Sequence, residues 1–120
     1  MNLENRKDGA CARYLTFKGK HGNAPTCLFI NANSGLNLRN KSGILDSKGK
    51  MLMDAIVGKG SKDKDVLGKV AYNNFGIGKE GFDVVSNMFS THYFFENIEM
   101  LNEYLRNVSE NCKINGYFIG

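Results

Sequence analysis

Residues Ser86 to Asn97 read SNMFSTHYFFEN, and this short stretch holds Phe89, His92, Tyr93, Phe94, Phe95 and Glu96: four aromatic rings, a carboxylate and one of the chain's two histidines. His92 and Tyr93 each join a flat ring to a hydrogen-bonding group, the combination that walls a pocket and orients what enters it. From the residues alone a plainer reading stands level with this one, in which His92 closes a strand end and Tyr93 packs in a core. A second polar cluster, NANSG at Asn31 to Gly35, also follows an apolar run.

Other chemistries find little support. Cys11, Cys27 and Cys112 are odd in number and widely spaced, which suits buried thiols better than a disulfide framework or a zinc site. No metal is expected. The GKGSK stretch, Gly58 to Lys62, lacks the spacing of a phosphate loop and no apolar strand leads into it. No apolar run is long enough to cross a bilayer and the first ten residues lack the core of a signal peptide, so no membrane partner and a cytoplasmic location are expected. The glycosylation-type sequons at Asn40 and Asn107 are discounted on the same ground. With 16 Lys+Arg against 12 Asp+Glu, the formal charge of +4 permits a polyanionic partner without requiring one. Lys59, Lys62, Lys64 and Lys69 could attract RNA or simply be solvated.

Two elements must present the clusters. TCLFINANSG predicts a buried strand running into a loop, and FDVVSNMF predicts a second strand with Val84 and Val85 buried. A helix is predicted from Asn2 to Phe17, with Leu3, Ala10, Tyr14 and Phe17 at helical spacing, and another from Lys48 to Val57. The glycine- and lysine-rich residues 58–81 read as a long surface loop. NIEMLNEYLRNVSENC predicts an amphipathic helix capped by Asn97, with Ile98, Leu101, Leu105 and Val108 as its apolar stripe. INGYFIG turns at Asn115-Gly116 into a last strand, Tyr117 to Ile119. This alternation predicts one α/β layer with a parallel sheet, and in such a sheet ligands bind beyond the carboxyl ends of the strands. Both polar clusters then share one rim. Of Phe94 and Phe95, at least one is expected in the core beneath the following helix, and Glu96 is expected to serve that helix's positive end.

FDVVSNMFSTHYFFEN followed by LRNVSENCKINGYFIG resembles the stretch shared by messenger RNA cap guanine-N7 methyltransferases: an F-D strand, an H-Y-x-F-E loop, an L-R-N-V-S-E helix and a G-Y-F-I-G strand. ENRKDGACARY and NANSGLN are similar to upstream parts of this family in large DNA viruses. The resemblance implies a Rossmann-like class I fold that transfers methyl from S-adenosylmethionine to N7 of the cap guanine. It implies that His92 contacts the guanine, that Tyr93 lies between guanine and cofactor, and that Arg13 faces the cap phosphates. Asn33 and Ser34 fall where the family binds the cofactor's adenine, with Asn33 in place of an acidic residue. Met88, where the family has a glutamine, falls against the cofactor's methionine end, and Phe89 falls at the cofactor site.

The family's glycine-rich cofactor loop and its acidic ribose-binding residue have no counterpart in these 120 residues. Residues 1–120 are therefore expected to be the central part of one methyltransferase domain, a partial sheet lacking its first two strands and inactive alone. Capped RNA is the expected partner, with other capping-enzyme domains or a stimulatory subunit beside it. A virus factory or virion is the expected location for a viral protein, and the nucleus for a cellular one. The alternatives are a basic RNA-binding module without catalysis and a degenerate methyltransferase copy.

Overall fold

The computed structural model describes residues 9–120, so the part of the first expected helix before Gly9 lies outside the described residues. Its remainder forms α1 (Ala10–Lys20). This helix is tied to the next segment by Tyr14, whose hydroxyl donates to Pro25 O at 2.7 Å and whose ring lies 5.7 Å from that of Phe29.

The expected strand at Thr26 to Ile30 does not form. Among the described residues its segment makes only one isolated antiparallel bridge, Ala32 to Ile44. The backbone turns back on itself there: Asn33 N donates to Gly43 O at 2.7 Å and Leu45 N to Asn31 O at 3.1 Å. An apolar run can be buried without a ladder, and Leu28 and Ile30 do pack against the core.

That core is built on α2 (Ser47–Ile56), which Asp46 caps by accepting from Gly49 N at 2.6 Å. On one side Leu52 and Ala55 meet Leu67 and Ala71; on the other, Met53 and Val57 meet Ile44. Leu67 and Ala71 belong to α3 (Lys64–Asn73), inside the stretch expected to be a loop. The Asp63 side chain accepts from Asp65 N at 2.9 Å, and Leu67 and Ala71 are both buried in the cluster against α2. Gly68, at φ 81°, kinks the helix between them, which is why no sustained period shows in the sequence. Nor is Lys62 simply solvated, since its ammonium sits 5.1 Å from the Tyr72 ring centre.

The sheet has two strands among the described residues, β1 (Phe82–Ser86) and β2 (Cys112–Ile119), paired in parallel across the helix α4 (Ile98–Asn111). Val84, Val85 and Ser86 face Tyr117, Phe118 and Ile119. Between Cys112 and Tyr117 the second strand bulges, with Asn115 at φ 69°, so β2 begins earlier than the Tyr117 to Ile119 strand expected.

Burial departs from expectation in two places. Val85 is half-buried, but Val84 is 52% exposed: its face of the sheet, shared with Tyr117 and Ile119, points away from α4 and carries no covering layer among the described residues. On α4 the buried residues are Tyr104 and Asn107, while Ile98 and Leu105 of the expected stripe are exposed. Leu101 and Val108 of that stripe are half-buried, so the inward face combines them with Tyr104, which packs on Phe94 and Phe118, and with Asn107, which finds polar partners.

Candidate functional site

The loop leaving β1 is fastened at three points. Asn87 N donates to Ile119 O at 2.9 Å, continuing the sheet by one bond. The Asn87 amide donates to Tyr104 Oη at 3.1 Å, and its oxygen accepts from Ser90 Oγ. Thr91 Oγ1 lies 3.3 Å from the same Tyr104 hydroxyl, which therefore holds the loop at both ends. Residues Thr91–Phe95 then wind into a 3-10 turn that leads directly into α4. Asn97 caps the helix as expected, accepting from Met100 N at 2.8 Å, and Glu99 stands in the first turn. Glu96 is exposed ahead of the cap.

Two neighbouring phenylalanines divide their tasks. Phe94 is half-buried and stacks on Tyr104 of α4, centroids 4.2 Å apart and planes 4° from parallel, whereas Phe95 is exposed. Tyr104 is only 4% exposed and also meets Phe118 edge-on at 6.4 Å. It is thus the pivot on which loop, helix and sheet converge.

The side chains left outward by this anchoring are Met88, Phe89, His92 and Tyr93. His92 and Tyr93 stand side by side, ring centres 4.1 Å apart, with Tyr93 largely exposed. Phe89 is 89% exposed and sits at φ 64°, in the left-handed region that bulky side chains avoid. A backbone cost and an exposed apolar ring coincide at this residue, as they do where a binding surface is held ready.

The second cluster reaches the same helix by another route. Asn33 Oδ1 accepts from Gly35 N at 2.9 Å, forming a tight turn; one of its lone pairs and its amide N–H groups are left for other contacts. A Cβ on Gly35 would come within 2.9 Å of Met100 Cγ, so the turn lies directly against α4. Behind it Asn107 bonds Ser34 O, Leu36 O and Leu38 N, while Asn37 donates to Glu110 Oε2 at 3.0 Å. Helix α4 thus carries both clusters, which the sequence had assigned to a common sheet rim.

Arg13 is exposed on α1, the helix that Tyr14 ties to Pro25 and Phe29. Asn87, Tyr104 and Asn107 are the anchoring positions that sequence reasoning missed. Asn87 carries a faint signal as an asparagine three residues before a serine in a turn, but nothing in the helical period marks Asn107. Among the described residues no group of three or more His, Cys, Asp or Glu side chains is placed to hold a metal ion, and no helix is long and apolar enough to cross a membrane.

Comparison with known proteins points the same way. The profile of the mRNA (guanine-N(7))-methyltransferase domain matches residues 47–120, more than half of the chain. The mRNA cap guanine-N(7) methyltransferase of Aspergillus oryzae is 45% identical over 53 residues, 44% of this chain and 10% of that protein. The protein of the same name from Aspergillus niger is 51% identical over 43 residues, 36% of this chain and 7% of that protein. That from Neosartorya fischeri is 45% identical over 53 residues, 44% of this chain and 8% of that protein. The chain thus spans a tenth or less of the length of these relatives, which are fungal; the likeness to viral members rests on sequence motifs alone. No solved structure matches. With a small parallel sheet, a mixed α/β architecture and a profile match running from α2 to the last strand, the chain belongs to the mRNA (guanine-N(7))-methyltransferase domain family.

Proposed function

We propose that this chain forms part of a Rossmann-like class I domain that methylates N7 of the guanine capping a messenger RNA, and that the loop after β1 holds that guanine. The observation that carries this reading is the pair His92 and Tyr93, set outward on a 3-10 turn at the carboxyl end of β1 while Asn87, Thr91 and Phe94 around it turn inward to Tyr104.

The chemistry needs little more than placement. Guanine N7 carries its own lone pair, so no group has to remove a proton before it attacks, and position and alignment matter more than a general base. Tyr93 offers a ring on which a purine plane stacks, and His92 a nitrogen that bonds to its edge. Neither acts as a direct acid or base. Arg13 is the proposed contact for the cap phosphates, where a guanidinium forks across two oxygens.

The residues present fit part of an S-adenosylmethionine site. Asn33 retains a lone pair and amide donors for an adenine edge, with Ser34 beside it; Met88 and Phe89 offer exposed apolar surface for the methionine end. When bound, the cofactor supplies a methyl group carried on a positive sulfur. A thioether at Met88 packs against an aliphatic chain but cannot supply the hydrogen bonds of an amide. The ribose and carboxylate contacts are not provided within these residues. Capped RNA is the proposed partner, alongside other capping-enzyme domains or a stimulatory subunit, with the site of action in the cytoplasm.

The test is N7 methylation of GpppG by the full-length protein that carries this chain, comparing wild type with His92→Ala and Tyr93→Ala. Loss of methylation in both variants, with cofactor binding retained in His92→Ala, is the expected result. Unchanged N7 methylation in both variants, or a methyl group delivered to another acceptor, would overturn the assignment.

A further inference from the structure

The geometry points to Asn107 as a positioning residue that sets the proposed cofactor-adenine loop from behind, through three hydrogen bonds to that loop's backbone. Its amide donates to Ser34 O at 3.0 Å and to Leu36 O at 2.7 Å, and its oxygen accepts from Leu38 N at 2.9 Å. The residue is 5% exposed and sits inside α4, four residues before its end, where an asparagine favours a helix less than most residues do. Three bonds from one buried side chain to alternate residues of one loop fix its curvature as well as its position.

The same helix fixes the other half of the site by other residues. Tyr104, one turn earlier on the same face, holds Asn87 and Thr91 around the His92 loop. Asn107 therefore governs the adenine side and Tyr104 the guanine side, and the spacing of the two along α4 sets the offset between methyl donor and acceptor. Asn111 steadies this register: its amide donates to Asn107 O at 2.7 Å, and its oxygen accepts from Arg39 Nε at 3.1 Å beyond the loop.

The inference rests on the proposed function, because it takes Asn33 and Ser34 as adenine contacts. It is tested in the full-length protein with Asn107→Ala and Asn107→Asp, by titrating S-adenosylhomocysteine and GpppG separately. Asn107→Asp keeps the acceptor for Leu38 N and loses both donors. Both variants are expected to weaken S-adenosylhomocysteine binding roughly tenfold or more while GpppG binding stays within about twofold. Asp63→Ala, which removes the cap of α3 and touches neither loop, is the control for general loss of stability and is expected to leave cofactor affinity unchanged.

Amide exchange of the wild type is read independently of any variant: bound S-adenosylhomocysteine is expected to slow exchange at Gly35, Leu36 and Leu38. Wild-type protein that binds no S-adenosylhomocysteine would sink the proposed function and this inference with it. Wild type that binds, with both Asn107 variants binding equally well or losing cofactor and cap together, would sink the inference alone, as would unchanged exchange at those three amides.

Discussion

Removing the hydroxyl of Tyr104 separates what holds the cap-side loop from what holds the helix. Tyr104→Phe keeps the ring that stacks on Phe94 at 4.2 Å and meets Phe118 edge-on, and deletes only the oxygen shared by Asn87 and Thr91. A typical net hydrogen bond contributes about 1 kcal/mol, and the half-buried Asn87 amide recovers part of its loss from water, so a cost of about 1–2 kcal/mol is expected. Tyr104→Ala also removes a ring that is 96% buried and should cost about 3–5 kcal/mol, the difference being packing. Urea unfolding of Tyr104→Phe, Asn87→Ala and the double variant gives the coupling between the two side chains, expected at about 1 kcal/mol. Amide exchange should quicken across residues 87–95 while the centre of α4 stays protected. Single effects that add to within about 0.3 kcal/mol would show that the 3.1 Å contact carries no energy and would refute Tyr104 as the pivot.

Four further outcomes follow from particular contacts. Asn97→Ala removes the oxygen that accepts from Met100 N and is expected to cost about 1 kcal/mol in denaturant unfolding, with Asn97→Ser recovering most of it. Gly81→Ala should cost about 2 kcal/mol or more, because φ is 90° and the new Cβ would stand 2.9 Å from backbone atoms of both Cys112 and Lys113; a fall of under about 0.5 kcal/mol would contradict this close approach. Asp83→Asn breaks the 3.1 Å pair with Lys113, but Asp83 lies open to solvent, so stability should move by no more than about 0.5 kcal/mol. Phe89→Gly relieves the left-handed backbone and should raise stability by up to about 1 kcal/mol while weakening S-adenosylhomocysteine binding; a loss of stability would show that the exposed ring packs usefully in the free protein.

What the sequence made legible was local. Asn97 stands one residue ahead of a periodic apolar segment, and α4 begins there; the α2 cap, Asp46, lies just before the Lys48 start expected for that helix. The H-Y-x-F-E loop was placed correctly after a strand because FDVVS is β-branched and ends in turn residues. The run at Cys27 to Ile30 misled for the opposite reason: its apolar content reports burial, and burial here comes from α2 and α3 without a paired strand. Helix α3 was hidden by Gly68, which breaks the period that would have announced it.

The inward face of α4 was the deepest omission, and its cause is physical. Hydrophobic periodicity finds the face that avoids water, but a helix can also be held by a face that satisfies backbone groups of a loop. Asn107 gives partners to two carbonyls and one N–H of the part-buried loop, while Ile98 and Leu105 stay exposed. Such a face is specific where an apolar one is adaptable: a leucine stripe tolerates a slide along its partner, whereas three directed bonds do not. For a reaction whose demand on the protein is alignment of two ligands, that difference matters. A helix that grips one loop through Asn107 and the other through Tyr104 fixes their spacing by its own rise, 1.5 Å per residue, with no side chain required to take part in proton transfer.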